Sequence, residues 1–322
     1  MSEDENGETG DENGEQLPEQ PTRCGFVAVL GAPNAGKSTL VNALVGTKVS
    51  IVSPKVQTTR TIVRGIAMFG QSQVVFLDTP GIFQAKKRLE RAMVAAAWAG
   101  AGDAEIILLM VDAAWAAKRG KVDEDSQRII DDLKATGRRG LLALNKVDVA
   151  ADKQRLLALT ADLHASGVFT EIFMISALTG DGLDRMRDQL AAMVPQGPWM
   201  FPEDDVSDMP QRMLAAEITR EKLFFNLKQE LPYSCAVETE SWEERKDGSV
   251  RIDQVVFVSR EGHRPIVLGH GGQKIKAIGA SARRELSALM GIEVHLFLRV
   301  KVDERWGERT SFYSQWGLDF NA

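Results

Sequence analysis

The sequence contains few cysteines and no long apolar run, and each shortage excludes a class of protein. Cys24 and Cys235 are its two cysteines, and neither has a second cysteine or a histidine nearby at metal-binding spacing. This pattern excludes a disulfide scaffold and a zinc site, and it is typical of a reducing compartment. The most apolar segment, residues 106–111, ends at Asp112 and is far shorter than the ~18 residues of a membrane-spanning helix. We therefore expect a cytoplasmic protein without an integral membrane segment.

Positive charge is absent from the first 20 residues, which hold eight carboxylates and almost no apolar side chain. Such a segment cannot bury enough surface to offset the entropy lost on ordering. Residues 1–21 are therefore predicted to form a disordered acidic tail, without a signal or transit peptide. The whole chain has a net charge of −6, and without the eight negative charges of the tail the remainder carries about +2. The acidic average therefore does not exclude nucleic acid as a partner.

The 322 residues are enough for two domains with separate cores. From Phe26 onward, strand-like runs alternate with helical patterns, which predicts a mostly parallel sheet covered by helices on both faces in residues 22–195. Prolines and acids mark residues 196–210 as a linker. Residues 211–322 then show a helix, two strands joined by an Asp-Gly turn, a glycine-rich loop, a helix and a strand, which predicts an α+β domain.

A phosphate-binding pattern follows the first predicted strand and opens the first predicted helix. Residues 31–38 read Gly-Ala-Pro-Asn-Ala-Gly-Lys-Ser. The glycines let backbone N–H groups surround phosphates, Lys37 supplies a positive charge, and Ser38 offers a hydroxyl to Mg²⁺. The candidate nucleotide-binding residues of this segment are Gly31, Asn34, Ala35, Gly36, Lys37, Ser38 and Thr39.

An aspartate and a glycine after another apolar strand complete the phosphate side of this site. Asp78 follows residues 74–77, where a carboxylate opposite the phosphate loop can hold Mg²⁺ through water. Gly81 lets a backbone N–H approach the γ-phosphate closely, so the segment that follows it responds to that phosphate. The sequence therefore predicts a site for a nucleoside triphosphate with Mg²⁺.

Two further motifs indicate that the base is guanine. An Asn-Lys-Val-Asp sequence ends an apolar strand, and the carboxylate of Asp148 can accept hydrogen bonds from both N1–H and N2–H₂ of guanine. Asn145 can bridge to the base or to the phosphate loop, and Lys146 can lie over the base. Ser176 and Ala177 follow the next strand, where the Ala177 N–H can donate to guanine O6. GTP and GDP are therefore the predicted nucleotides.

These four elements resemble, in their order, the G-domain motifs of translation-factor-type small GTPases, which have a P-loop NTPase fold. The resemblance implies that a threonine of residues 57–60 coordinates Mg²⁺ when GTP is bound. Thr59 is the first choice, and Thr58 and Thr61 compete with it. The implied catalytic residues are Lys37, Thr59, Asp78 and Gly81, and the implied metal ligands are Ser38, Thr59 and Asp78.

Ile82 stands where many signalling GTPases carry a glutamine that orients the attacking water. An apolar side chain cannot orient water, so we expect slow hydrolysis by another route. Gln84 comes two residues late and is expected to be exposed. The place of Asn34 in the phosphate loop resembles that in potassium-activated GTPases, which adds K⁺ to the candidate cofactors.

A second glycine-rich loop, residues 269–272, and the helix after it resemble the GxxG loop and helix of a type II KH domain. Without side chains, the loop lets the backbone of single-stranded RNA lie against it, and the helix N-terminus attracts phosphate. Residues 262–301 have a net charge of +5, which supplies a basic face. The candidate RNA-binding residues are Gly269, His270, Gly271, Gly272, Lys274, Lys276 and Arg283.

The combination of both domains resembles one family, the bacterial Era GTPases, over roughly residues 22–305. The resemblance implies binding near the 3′ end of small-subunit (16S) rRNA and a role in assembly of the 30S subunit. A monomer is expected, and DNA is not expected as a partner. His270 departs from the family, which commonly has a basic residue there, because imidazole is mostly neutral at pH 7. Some family members associate peripherally with the inner face of the cell membrane, but we identify no amphipathic anchor in this sequence.

Other functions compete with this interpretation. An ATPase or kinase is disfavoured by the guanine motif, and a tRNA-modifying GTPase is disfavoured by the KH region. An RNA-binding module with an inactive nucleotide site is disfavoured because Lys37, Ser38 and Asp78 are all present. A KH- or RNA-associated GTPase of the same superfamily with a different RNA target remains the alternative.

Overall fold

The computed structural model describes residues 21–322, so the predicted acidic tail lies almost wholly outside the described residues. The strands of the first unit are β1 (Arg23–Gly31), β2 (Val63–Phe69), β3 (Ser72–Asp78), β4 (Ile106–Asp112), β5 (Gly140–Asn145) and β6 (Phe169–Ile175). They form one sheet in the order β2-β3-β1-β4-β5-β6. β2 and β3 are antiparallel, and the other neighbouring strands are parallel.

Helices cover both faces of this sheet. They are α1 (Lys37–Val45), α2 (Arg88–Asp103), α3 (Ala113–Arg119), α4 (Glu124–Ala135), α5 (Lys153–Ala165) and α6 (Leu183–Met193). Successive side chains of a strand point to opposite faces. Ala28 and Leu30 of β1 therefore join the core with α2 to α5, whereas Val27 and Val29 join the core with α1 and α6. The predicted fold class is confirmed for this unit.

The topology brings the nucleotide motifs to one edge of the sheet. Parallel strands place their carboxyl ends together, and ligands bind outside those ends in open α/β sheets. The phosphate loop follows β1, Asp78 ends β3, Asn145 ends β5, and Ser176 follows β6. The motifs are therefore neighbours in space although they are distant in sequence.

The predicted linker, residues 196–210, lies against the sheet. The Gln73 side-chain amide donates to Phe201 O over 2.8 Å, and Ile66 N donates to Val206 O over 2.9 Å. The second bond, together with the antiparallel bridge between Gly65 and Ser207, covers part of the outer edge of β2, where these backbone groups would otherwise be unpaired. The segment therefore extends the first unit as well as connecting it to the second.

The second unit contains a three-stranded sheet in the order β7-β8-β9. Its elements are α7 (Gln211–Asn226), β7 (Cys235–Glu244), β8 (Val250–Val258), α8 (His263–Leu268), α9 (Gln273–Met290), β9 (Val294–Val302) and α10 (Thr310–Gln315). α7 and α9 pack against one face of the sheet. The short helix α8 is an addition to the predicted order, and the α+β class is confirmed.

The end of the chain joins the two units. Trp306, Phe312 and Trp316 cover part of the second face of the small sheet and form one apolar cluster with Ala92 and Met93 of α2. Across residues 21–322, every helix is too short or too polar to cross a bilayer.

Candidate functional site

The phosphate loop is held open around a buried ammonium group. Gly36 has a φ of +100°, and a Cβ added there would lie 2.3 Å from the side-chain nitrogen of Asn145, so the position requires glycine. Lys37 Nζ donates to Gly31 O and Ala32 O, each over 3.1 Å. Burial lowers the pKa of Lys37 to about 8, and the nearby Asp78 opposes the shift. A phosphate group at this position would supply the missing negative charge.

Asp78 is the clearest indication of a metal ion. It is fully buried, and neither of its carboxylate oxygens has a hydrogen-bond partner in the described residues. Burial raises the pKa of Asp78, although the nearby hydroxyl of Ser38 and the charge of Lys37 act in the opposite direction. Because buried carboxylates are normally paired, this arrangement fits a cation that the carboxylate reaches directly or through water.

The geometry favours Thr59 over its competitors. Thr59 Oγ1 lies 2.9 Å from Ser38 Oγ, so both implied hydroxyl ligands are together. Thr58 Oγ1 instead contacts Ser53 Oγ, and Thr61 Oγ1 donates to Trp316 O over 2.6 Å. Within residues 21–322, no group of three carboxylate, imidazole or thiol side chains is placed to hold a metal. Two hydroxyls and a carboxylate suit Mg²⁺, which retains several waters.

Gly81 and Ile82 follow Asp78 in the sequence. A Cβ on Gly81 would approach Pro33 of the phosphate loop to 3.0 Å, so the two loops are in contact. Ile82 is buried in the apolar core and its N–H donates to Gly31 O. Its side chain therefore points away from any attacking water, and Gln84 is exposed as predicted.

At the base end, Asn145 acts as a bridge between loops. Its Nδ2 donates to Ala35 O over 2.8 Å, and its Oδ1 accepts from Ala177 N over 2.9 Å. Asn145 was predicted to bridge either to the base or to the phosphate loop, and the bond to Ala35 O is the bridge to the phosphate loop. The Ala177 N–H predicted for guanine O6 is thus engaged by Asn145, and it would need to be shared with the base. Asp148 is exposed at the same end.

Lys146 has a partner that the motif does not contain. Its Nζ contacts Asn34 O over 2.8 Å and Asp112 Oδ2 over 2.6 Å. Asp112 ends β4 and also caps α3 by accepting from Trp115 N. Sequence reasoning missed Asp112, although an aspartate at the end of an apolar strand was the signal used at Asp78. The cavity beside these residues has a volume of about 400 Å³.

The segment that carries Thr59 is held by the second unit. Arg60 is only 3% exposed, and its guanidinium donates to Cys235 O over 2.9 Å and Tyr233 O over 3.2 Å. The same guanidinium lies over the rings of Trp306 and Trp316, at 5.2 and 5.6 Å from their centroids. Thr59, the candidate metal ligand, is thus adjacent to an arginine whose side chain is buried against the second unit. No local sequence pattern indicated this contact.

The second glycine loop lies between α8 and α9 and has backbone angles that favour glycine. Gly269 has a φ of +73°, and a Cβ there would lie 2.6 Å from Lys274 Cβ. Gly271 and Gly272 have φ values of +56° and +76°, with no atom within 4 Å of an added Cβ. Gly271 and Gly272, the last two residues of the loop, therefore leave a smooth, open backbone surface. Lys274 Nζ donates to Ile266 O over 2.9 Å, so this predicted RNA ligand also supports the loop.

A groove of about 460 Å³ extends from this loop between α9 and β9. Gly272, Lys276 and Arg283 line its helix side, and residues 296–298 line its strand side. Lys276, Arg283 and His270 are exposed. The structure thus brings three of the seven predicted RNA-binding residues into this groove, and the other four lie in the adjoining loop or at the start of α9.

Comparison with family models matches residues 26–146 to the model described as "50S ribosome-binding GTPase" and residues 230–307 to the KH domain. Among curated proteins, the GTPase Era of Bradyrhizobium sp. strain BTAi1 is 55% identical over 303 residues, covering 94% of this chain and 96% of that protein. The GTPase Era of Rhizobium meliloti strain 1021 is 56% identical over 300 residues, covering 93% and 94%.

Two solved structures are similar to this chain over both of its units. An Aquifex aeolicus Era variant bound to GDP and AlF₄⁻ has a TM-score of 0.85 at 38% identity, covering 92% of this chain and 99% of that one. An Era complex with MgGDPNP and nucleotides 1506–1542 of 16S ribosomal RNA has the same TM-score at 37% identity and the same coverage. This chain therefore belongs to the Era family of GTPases.

Proposed function

We propose that this protein binds and hydrolyses GTP, binds 16S rRNA near its 3′ end, and assists assembly of the 30S ribosomal subunit. The observation that carries the proposal is the Era complex in which MgGDPNP and 16S rRNA nucleotides are bound together, since it matches 92% of this chain. A cytoplasmic, monomeric protein is consistent with this role. Peripheral membrane association remains a prediction from the family.

The nucleotide site supports a positioning mechanism. Lys37 would neutralise the β- and γ-phosphates, and Asp148 would accept from guanine. Ser38, Thr59 and Asp78 would hold Mg²⁺, which stabilises negative charge on the phosphates when bound. With Ile82 in the core, water must be oriented by another group, so turnover is slow. Asn34 Nδ2 donates to Pro54 O over 3.3 Å, so this side chain contacts the segment that precedes Thr59. Asn34 Oδ1 is the atom that K⁺ would use.

The RNA site supports binding of a single strand by its backbone. The open glycines would face the sugar-phosphate chain, and Lys276 and Arg283 would contact phosphates. Gly272→Asp places a carboxylate on this surface without a clash in the fold, because no atom lies within 4 Å of the added Cβ. We expect this variant to lose most of its affinity for an oligonucleotide of the 16S rRNA 3′ end, while GTP binding persists.

A matched control separates RNA repulsion from backbone strain. Gly248, in the turn between β7 and β8, also has a left-handed φ of +81° and open space around an added Cβ. Gly248→Asp should therefore carry similar strain and leave RNA affinity unchanged. Equal RNA affinity of Gly272→Asp and the wild type would reject the RNA-binding role. Binding of an unrelated single strand as tightly as the 16S sequence would favour the alternative of a different RNA target.

A further inference from the structure

Phe297 is an exposed aromatic ring beside the RNA groove, and nothing in the G-domain or GxxG motifs accounts for it. It lies on β9, where Leu296 and Leu298 turn toward α9 and Phe297 turns to the opposite face of the sheet. Its side chain is 47% exposed. Of the aromatic residues that are clearly exposed in the described chain, Trp115 and Phe225 lie elsewhere, and Phe297 alone lines the groove.

The ring is held in place by a charged side chain on the neighbouring strand. The guanidinium of Arg251 lies 4.7 Å from the centroid of Phe297. Asp253 fixes that guanidinium through two hydrogen bonds, of 2.9 Å from Nε and 3.2 Å from Nη2. Ser241 donates to the same carboxylate over 2.8 Å. An Arg–aromatic pair supported in this way presents a pre-oriented apolar surface to solvent.

The path of an RNA strand leads to this ring. β9 is an end strand of its sheet, so one of its edges is free. A strand whose phosphates follow Gly272, Lys276 and Arg283 on the helix side would have its bases within reach of that edge, because residues 296–298 of β9 line the opposite side of the groove. A base that passes over the edge would meet Phe297 on the outer face, where Lys301 and Arg299, which pairs with Glu240, are also exposed.

We propose that Phe297, oriented by Arg251, is a stacking site for one base of single-stranded RNA leaving the groove. This inference rests on the proposed RNA-binding function and assigns an additional contact to it. Every base has a π-face, so the contact adds affinity and fixes the register of the strand without selecting a sequence by hydrogen bonds. Arg251 acts as a positioning residue, since Asp253 already balances its charge.

Affinity measurements with matched variants test this assignment. With an oligonucleotide of the 16S rRNA 3′ end, Phe297→Ala should weaken binding at least about fivefold, because stacking on an aromatic ring has that order of effect. Phe297→Tyr keeps the ring and should restore affinity. Phe225→Ala is the matched control, since Phe225 is 56% exposed beneath Lys222 on α7, outside the groove, and should change nothing.

A fluorescent base analogue reports stacking on Phe297 directly. Its fluorescence would not change if Phe297 only stabilised the fold. With 2-aminopurine placed at successive positions, one position should be quenched on binding to the wild type and not on binding to Phe297→Ala. Removing the base at that position should weaken wild-type binding and leave Phe297→Ala unaffected, because the two changes remove the same contact.

The outcomes separate this inference from the proposed function. If Gly272→Asp abolishes RNA binding but Phe297→Ala binds like the wild type, the stacking site is rejected and the RNA role stands. If Phe297→Ala and Phe225→Ala weaken binding equally, the effect is general and the stacking site is also rejected. If Gly272→Asp binds RNA normally, the proposed function itself fails.

Discussion

Asp148 is exposed at the end of the first unit where Asn145 and Ala177 lie, and we expect the discrimination between guanine and other bases to rest on its carboxylate. Asp148→Asn replaces a double acceptor with an amide that turns a donor toward the N–H groups of guanine. Affinity for GTP should fall, and affinity for xanthosine triphosphate, which has an oxygen in place of the amino group, should rise. Titration of both nucleotides checks this. Unchanged GTP affinity would contradict the base-recognition role.

Lys37 makes the stability of the nucleotide-free protein depend on pH. Burial lowers its pKa to about 8 from the ordinary value of 10.5. Between these values the unfolded chain binds more protons than the folded chain, so this residue makes the free energy of unfolding rise with pH. Below about pH 8 Lys37 is charged in both states, and burial of that charge lowers the free energy of unfolding by ~3 kcal/mol.

Urea denaturation of the nucleotide-free wild type and of Lys37→Met at pH 7 and pH 9.5 measures this effect. The wild type should gain stability relative to Lys37→Met as the pH rises, because only the wild type loses the buried charge. Saturating GTP should remove the difference, since phosphate stabilises the ammonium form. Identical pH dependence of the two proteins in the absence of nucleotide would show that Lys37 is not a buried cation.

At the scale of elements, the sequence predicts those helices and strands that have a clear local pattern of apolar residues. β3 is an apolar run that ends at Asp78, and its strand structure follows from that pattern. α3 was not predicted, because its seven residues begin directly after β4 and carry too short a pattern to show a helical period. Its N-cap, Asp112, becomes part of the site only through Lys146, which the chain places there by folding.

α9 supplies the charges of the RNA groove, and its two lysines differ. Lys276 is exposed, whereas Lys274 is tied to Ile266 O in α8. Lys276→Ala should lower RNA affinity and reduce the slope of log affinity against log salt by about 1, as expected for one lost phosphate contact. Lys274→Ala should change the salt slope less, because its main effect is on the support of the loop. Equal changes in slope would show that Lys274 contacts phosphate as directly as Lys276.

At the scale of the whole molecule, the contacts that join the two units could not be predicted. Arg60 contacts Trp306 and Trp316 although about 250 residues separate them in the sequence, and no local pattern predicts such a contact. The domain boundaries place these tryptophans in the second unit, but the sequence contains no sign that they cover the segment bearing Thr59. This contact gives the nucleotide site a physical route to the RNA-binding unit.

Arg60 should therefore contribute to the linkage between nucleotide and RNA. Binding of Mg²⁺ and GTP would move Thr59 toward the metal ion. Arg60 would transmit that movement to Tyr233 and Cys235. The quantity to measure is the RNA affinity of the protein bound to a GTP analogue divided by its RNA affinity when bound to GDP. Arg60→Ala should bring this ratio closer to one. By reciprocity, RNA should then shift nucleotide affinity less.

Arg64→Ala is a suitable control for this measurement. Arg64 lies on β2, where its half-exposed side chain pairs with Asp208. Its loss should leave the ratio unchanged. An unaltered ratio in Arg60→Ala would place the coupling elsewhere in the interface.

The central claim is that one chain combines a guanine-nucleotide switch with a binding site for the 3′ end of 16S rRNA. Crosslinking of the full-length protein to RNA in living cells, followed by sequencing of the bound fragments, tests it most directly. For the wild type we expect fragments concentrated at the 3′ end of 16S rRNA, and for Gly272→Asp we expect these fragments to be lost while GTP binding is retained. Fragments concentrated on another RNA, or a distribution that Gly272→Asp does not change, would contradict it.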